Sequence, residues 1–234
     1  MTTPDAPPLH IGFILFPGIT LLDLIGPWEV LTRLNGASCH LVADSLDPVA
    51  SASGGLATVP TIGFADCPAL DVIVVPGGPG HLAAMEDAAL LAFLRRQAEG
   101  ARAVTAVCTG SLVLAAAGLL EGYRATSHWM SRDRLAGFGA TPVDARVVVD
   151  RDRITGGGVT AGIDFALRLV TLLEGEERAR TIQLQIEYAP EPPYAGRPDD
   201  ADPALVAALH AAMAGYTARM ATVDARAAAR LARG

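Results

Sequence analysis

Short apolar runs alternate along the chain with longer segments in which apolar residues recur every three or four positions. The short runs indicate β-strands, and they cover residues 9–16, 38–43, 71–75 and 103–107. The longer segments predict helices over residues 23–34, 88–99, 111–120 and 160–173. Strands with no polar face are typical of parallel sheets that helices cover on both sides. The alternation therefore predicts an α/β fold, a mostly parallel sheet in a flavodoxin-like sandwich.

The remaining segments complete a chain that we interpret as one domain over residues 1–234. Residues 146–154 alternate around an Asp-Arg-Asp turn, which predicts a hairpin at one edge of the sheet. Residues 189–203 are rich in proline and acidic residues and predict an irregular connection. Residues 204–231 predict a C-terminal helix that packs on the body of the protein or on a second subunit. Its apolar stripe consists of Leu205, Leu209, Met213, Tyr216, Met220 and Val223.

Composition excludes several classes of partner and chemistry. With 51% hydrophobic residues and a net charge of -7, the chain can build one core and presents no basic surface for nucleic acid. Its apolar runs are interrupted before the ~18–20 residues that span a membrane, and its first residues do not resemble a secretory leader. Three cysteines without CxxC spacing favour a reducing cytoplasm. Because the sequence contains no lysine, Schiff-base catalysis and a P-loop are excluded.

Cys108 lies where a predicted strand becomes a predicted helix. The first turn of a helix offers unpaired N–H groups and a partial positive charge, both of which stabilise a thiolate. A free thiol has a pKa of about 8.5, and thiols at helix starts have pKa values of roughly 3.5–7.5. We therefore expect a nucleophilic thiol that titrates near or below neutrality. The alternative is that Cys108 is a small buried apolar residue.

Two further features are expected at the same edge of the sheet, where the carboxyl ends of parallel strands meet. Asp23 stands among apolar residues and is either a buried acid or a helix N-cap. Gly77 and Gly78 follow a buried strand and could bring a backbone N–H close to Cys108. The stretch 78–83 also matches G-x-G-x-x-A, but Pro79 removes an N–H that a pyrophosphate site would use.

The histidines give weaker indications. His128 follows a further strand and could assist Cys108, or it could be a structural histidine. The others, His10, His40, His81 and His210, show no metal-ligand spacing. We therefore expect no metal site. The sequence also contains no G-x-S-x-G, which argues against a serine hydrolase of the α/β type.

Several segments resemble a known superfamily. DVIVVPGGPG, AVCTGSLVLAAAGLLEGYRATSHW and ITGGGVTAGIDFAL resemble the ThiJ/PfpI branch of the class I glutamine amidotransferase-like superfamily. Within that branch, LFPGITLLDLIGPWEVL and QLQIEYAPEPPYAGRPD resemble the bacterial isocyanide hydratases. The resemblance runs from about residue 11 to the C-terminal helix. It implies hydration of a small-molecule isocyanide to an N-substituted formamide, in a homodimer that needs no cofactor.

The resemblance also implies roles for individual residues. Cys108 would attack the isocyanide carbon, and Asp23 would protonate the adduct to a covalent thioimidate and then activate water. The N–H groups near Gly78 and Thr109 would stabilise developing charge, with His128 in a supporting role.

Two alternatives share the same motifs. One is a glyoxalase, deglycase or peptidase that uses the same cysteine, although relatives of that kind usually carry glutamate near the first helix. The other is a non-catalytic sensor domain of the type found in AraC-like regulators. The ~30 residues after position 203 are fewer than a helix-turn-helix reader needs, so we expect an enzyme.

Overall fold

The computed structural model describes residues 8–233. The expectation of a chain start without a leader falls on residues 1–7, which lie outside the described residues. The assignment of residues 1–234 to one domain stays a prediction for the same reason. Between residues 8 and 233, no helix is both long enough and apolar enough to cross a membrane.

The core of the structure is a seven-stranded sheet with strand order β10-β11-β7-β6-β1-β2-β5. Every neighbouring pair in it is parallel except β10 and β11, which form an antiparallel hairpin at one edge. Two small sheets, β3-β4 and β8-β9, lie outside it. The strands are β1 (Leu9–Ile14), β2 (Ala37–Ala43), β3 (Val49–Ala50), β4 (Ala57–Thr58), β5 (Ile62–Gly63), β6 (Val72–Val75), β7 (Ala103–Val107), β8 (Arg124–Ala125), β9 (Thr141–Pro142), β10 (Val147–Asp150) and β11 (Arg153–Gly156).

Helices cover the sheet and complete the predicted α/β sandwich. They are α1 (Leu21–Leu31), α2 (His81–Ala84), α3 (Ala88–Ala98), α4 (Gly110–Ala116), α5 (Ala161–Glu174), α6 (Glu176–Gln185) and α7 (Pro203–Leu231), with a 3₁₀ helix at Arg132–Phe138. The central strands β6 and β7 are buried along their whole length, as their apolar sequences predict. The mostly parallel sheet and the edge hairpin are thereby confirmed.

Helix ends are where structure and sequence differ most. Helix α1 begins two residues before the predicted start, and Pro27, which is expected in the first turn of a helix, lies inside it. Helix α4 ends at Ala116, before the predicted 120, because Gly118 adopts a φ of 78°. Helix α6 was not predicted, since its sequence is largely polar and buries only Ala179 and Ile182.

Close backbone contacts fix the turns at the carboxyl ends of β1, β6 and β7. A Cβ on Gly110 would lie 2.2 Å from the carbonyl oxygen of Val75, so α4 can begin there only with glycine. A Cβ on Gly80 would lie 1.9 Å from the carbonyl oxygen of Pro17. The glycines that match G-x-G-x-x-A therefore serve a contact between two turns of the chain.

The apolar stripe of helix α7 is buried in the second half of the helix and exposed near its start. Met220, Val223 and Ala227 are buried against the body of the protein. Leu205 and Leu209, near the start of the helix, are 56% and 44% exposed. The predicted packing on the body is confirmed only for the second half of the helix.

We predict that Gly110→Ala destabilises the protein by about 1–3 kcal/mol, the usual cost of forcing extra volume into a packed site. The new methyl group would displace either the Cys108 turn or the end of β6. Urea unfolding of the variant measures the loss. The matched control is Gly100→Ala, whose Cβ would meet nothing within 4 Å and should change stability by less than about 0.5 kcal/mol. Equal stability of the two variants would contradict this interpretation.

Candidate active site

Cys108 occupies a strained turn between β7 and α4. Its φ of 57° is in the left-handed region, which a non-glycine residue adopts only when its surroundings hold it there. Its N–H donates to the carbonyls of Gly156 and Gly157, at 3.0 and 2.8 Å. Its carbonyl accepts the hydroxyls of Ser111 and Ser127, at 3.0 and 2.9 Å. These bonds fix the sharp strand-to-helix turn that the sequence predicted.

Asp23 lies in the first turn of α1 and is completely buried. Its Oδ2 accepts the N–H of Gly77 at 2.9 Å, and its Oδ1 has no N–H or O–H donor among the described residues. The thiol of Cys108 interacts with this carboxylate. The N-cap of α1 is Thr20, so the expectation that Asp23 caps the helix is wrong and the buried-acid reading holds.

Burial raises the pKa of both groups, and the charge of Asp23 raises that of Cys108 further. Burial lifts the pKa of Asp23 from 3.8 to about 7, although the Gly77 N–H and the thiol partly oppose this. Burial and the negative charge of Asp23 raise the pKa of Cys108, and these effects outweigh the N–H and hydroxyl of Thr109. The predicted low-pKa thiolate is therefore wrong. The causes are burial of the thiol and, after it, the charge of a carboxylate from a distant segment, and the local strand-to-helix pattern shows neither.

Gly78 and Thr109 form the other side of the site. The N–H of Gly78 donates to Oγ1 of Thr109 at 3.0 Å, so this N–H already has a partner. The N–H of Thr109 interacts with the Cys108 sulfur. A Cβ on Gly77 would lie 2.5 Å from the Thr109 nitrogen, which explains why glycine is needed at position 77 beside the cysteine turn.

A family model for the DJ-1/PfpI family matches residues 10–172. The chain belongs to the DJ-1/PfpI family. Its sequence is 56% identical over 199 residues to the isonitrile hydratase of Pseudomonas putida, covering 85% of this chain and 87% of the relative. The crystal structure of a ThiJ/PfpI family protein from Pseudomonas syringae superposes with a TM-score of 0.90 at 48% identity, covering 96% of this chain and 92% of that chain.

A regulator of transcription shares the same family region. The HTH-type transcriptional regulator GbdR of Pseudomonas aeruginosa is 34% identical over 202 residues. The match covers 80% of this chain and 55% of the regulator. The family alone therefore includes both enzymes and regulators.

In this DJ-1/PfpI chain, the His128 side chain makes no hydrogen bond to Cys108 or Asp23 within residues 8–233. Its Nδ1 lies 3.4 Å from the N–H of Met130, and burial lowers its pKa. The ring lines a cavity of about 290 Å³ together with Ser127 and Gly157, both of which bond the main chain of Cys108. A larger groove of about 880 Å³, between β10, α5 and α6, contains none of the site residues.

The remaining histidines form no metal centre in the described part of the chain. His10 and His40 hydrogen-bond each other at 3.0 Å, far along β1 and β2 from the cysteine turn. No group of three or more histidine, cysteine or acidic side chains within residues 8–233 is arranged to hold a metal ion.

Sequence reasoning missed two residues beside the site. His81 is completely buried directly after the glycine turn, and Tyr216 of α7 lies 3.4 Å from its Nδ1. Burial and the charge of Cys108 raise the pKa of Tyr216. The sequence could have indicated His81, because in GGPGH it directly follows glycines that were already assigned to the site. No sequence signal connects Tyr216 with it.

We predict that Asp23→Asn gains stability relative to the wild type as pH rises. Asp23 binds its proton more tightly in the folded protein than in the unfolded chain. Its contribution to the free energy of unfolding is therefore complete below about pH 4 and is lost as pH rises through about 7. Asparagine carries no charge. The unfolding free energy of the variant minus that of the wild type should increase by about 2–3 kcal/mol between pH 5 and pH 8.5.

Urea unfolding at several pH values measures this difference. Asp66→Asn, at an exposed aspartate, is the matched control. A difference for Asp23→Asn that does not change with pH would show that the buried carboxyl has no raised pKa.

Proposed function

We propose that this chain is an isocyanide hydratase that converts an isocyanide and water to an N-substituted formamide. The observation that carries the proposal is the buried pair of Asp23 and Cys108, in which a carboxyl group with a pKa of about 7 faces the thiol. The extensive identity with an isonitrile hydratase supports the same assignment. Such a pair can both deliver and accept a proton at neutral pH.

In the first half of the reaction, the carboxylate of Asp23 accepts the thiol proton while the Cys108 sulfur attacks the terminal isocyanide carbon. A C–S bond forms, and Asp23 returns the proton to that carbon. The product is a thioimidate, covalently bound to the cysteine. Asp23 is ionised again at the end of this half.

In the second half, water hydrolyses the thioimidate. Asp23 accepts one proton from the water as the water oxygen bonds to the carbon, and passes this proton to the substrate nitrogen. The tetrahedral intermediate then collapses to the formamide: the C–S bond breaks, and the proton of the hydroxyl group passes through Asp23 to the departing thiolate. The sum is addition of one water to one isocyanide.

The surrounding groups support these steps in our proposal. The Thr109 N–H, which interacts with the sulfur, stabilises negative charge as it develops. Gly78 acts by holding the Thr109 hydroxyl. His128 lines the adjoining cavity and supports the substrate without proton transfer.

The proposed enzyme acts as a homodimer in a reducing cytoplasm. Cys39, Cys67 and Cys108 are all free thiols, in agreement with a reducing setting. The exposed Leu205 and Leu209 at the start of α7 supply an apolar surface for a second copy.

Turnover of cyclohexyl isocyanide, measured as formamide production, tests the activity. We expect Cys108→Ser to retain less than about 1% of wild-type kcat/KM, and Asp23→Asn to lose about 10²–10⁴-fold. Wild-type kcat/KM should rise with pH through about 7, because only the ionised carboxyl accepts the thiol proton. Cys67→Ser, at a half-buried thiol outside the site, is the matched control.

Methylglyoxal is assayed in parallel, with lactate as the product. Turnover of methylglyoxal but not of isocyanide would favour the glyoxalase alternative. Absence of both activities, with binding of a small ligand, would favour a sensor domain. Wild-type turnover by Asp23→Asn would remove the basis of the proposed mechanism.

Sedimentation equilibrium tests the dimer. We expect about twice the chain mass of 24.2 kDa at micromolar concentration. Replacing both Leu205 and Leu209 with glutamate should shift the protein to the monomer, because like charges would face each other across the interface. Leu184→Glu, at a residue that is 82% exposed, should leave the assembly unchanged. A monomeric wild type would contradict the proposal.

A further inference from the structure

His81 is a buried histidine that the proposed mechanism does not use. It follows the turn of residues 77–80, opens α2 and has no exposed surface. Burial lowers its pKa to about 4, and the charge of Arg134 acts in the same direction. The ring is therefore neutral near pH 7, with one N–H and one bare nitrogen.

The hydrogen bonds of His81 determine which nitrogen carries the proton. Nδ1 lies 2.8 Å from the carbonyl oxygen of Gly78, and the main-chain N–H of His81 lies 3.0 Å from the same oxygen. A carbonyl can only accept, so Nδ1 is the protonated nitrogen. Nε2 has no donor among the described residues. The bond to the Gly78 carbonyl is thus the shortest hydrogen bond of this ring among the described residues.

The Gly78 carbonyl belongs to the part of the turn that bonds Asp23 and Thr109, the residue next to Cys108. The N–H of Gly77 donates to Asp23, and the N–H of Gly78 donates to Thr109. Gly78 has a φ of 128°, and because glycine has no side chain, its own sterics do not restrict the backbone to this conformation. Rotation of its carbonyl would turn the flanking peptides and move both N–H groups away from their acceptors.

Two further bonds hold the ends of this turn, and the main-chain N–H of His81 and the Thr109 hydroxyl also contact the Gly78 carbonyl. The carbonyl of Gly77 accepts the N–H of Thr20 at 2.9 Å, and the N–H of Gly80 donates to Gly18 at 3.0 Å. The Thr109 hydroxyl is 3.3 Å from the Gly78 carbonyl, a longer contact than that of the His81 ring. The imidazole therefore provides the shortest side-chain bond to the middle of the turn.

We propose that His81 is a positioning residue: its Nδ1–H fixes the Gly78 carbonyl and thereby keeps the Gly77 N–H on Asp23 and the Gly78 N–H on Thr109. Tyr216 confines the ring from the side of α7, with its hydroxyl 3.4 Å from both Nδ1 and the Pro79 carbonyl. For isocyanide turnover this inference rests on the proposed function. The effect of His81 on the alkylation of Cys108 does not depend on the proposed function.

Two substitutions separate the Nδ1 bond from the bulk of the side chain. The amide nitrogen of His81→Asn can occupy the Nδ1 position, whereas the amide of His81→Gln reaches the Nε2 position. We measure the rate at which iodoacetamide alkylates Cys108 against pH, with sites identified by mass spectrometry. In the wild type the rate should first rise near pH 7, as ionised Asp23 accepts the thiol proton. Among the described residues, the titratable group that faces Asp23 is Cys108, and the titratable or charged groups that face His81 are Tyr216 and Arg134.

His81→Asn should keep the wild-type pH profile and kcat/KM within about 3-fold. His81→Gln should shift the alkylation profile to higher pH, because the Gly77 N–H no longer lowers the pKa of Asp23, and should reduce kcat/KM by about 10-fold or more. Unfolding curves of both variants identify any general loss of structure.

Equal behaviour of the asparagine and glutamine variants, or an unshifted profile in His81→Gln, would overturn the inference. Failure of the wild type to hydrate any isocyanide would instead remove the proposed function. The alkylation profiles remain interpretable in that case, because they do not depend on turnover.

Discussion

A carboxyl group and a thiol that compete for one proton in a buried site are the interaction on which the rest of this structure depends. Removing both groups from water disfavours their charged forms, and each charge disfavours the other. The pair therefore carries two protons up to about pH 7, where a free aspartate would be ionised, and keeps one of them above that pH. Such a pair supplies an acid and a base at neutral pH with no further group, which is what addition of water through a covalent adduct requires.

The scaffold serves this pair by bringing three chain turns within contact distance. Asp23 comes from the segment after β1, Gly77 from the turn after β6, and Cys108 from the turn after β7. Adjacent parallel strands place these turns at one edge of the sheet. Glycine at positions 77, 80 and 110 allows the backbones to approach more closely than any side chain would permit. Burying a carboxyl group costs stability, and the burial of the apolar strands beneath it offsets that cost.

The sequence was informative where local pattern determines structure. Strand β7 was predicted at its observed bounds, since a short, mainly apolar run with β-branched residues is typical of a buried strand. The edge hairpin and the irregular connection before α7 were also predicted. Helix α6 was missed because only two of its side chains are buried, and β3, β4 and β5 are too short to show a period.

Long-range contacts explain what the sequence could not predict. The position of Cys108 at a strand-to-helix turn was readable, but the pKa of its thiol depends on Asp23 and on burial. His81 and Tyr216 are 135 residues apart in the chain, and only the docking of α7 brings them together. The residue types at the candidate site could thus be chosen from the sequence, whereas their protonation and their supporting contacts required the three-dimensional arrangement.

Infrared titration of the Asp23 carboxyl is the most direct test of the shared proton. The C=O band of a protonated carboxylic acid is distinct from that of a carboxylate, and the Cys108 S–H band is visible in the same spectrum. Difference spectra against Asp23→Asn and Cys108→Ser assign the two bands. We expect the acid band of Asp23 to disappear with a midpoint of about pH 7 while the S–H band persists above it. A carboxylate already fully ionised at pH 5, together with a missing S–H band, would contradict the account.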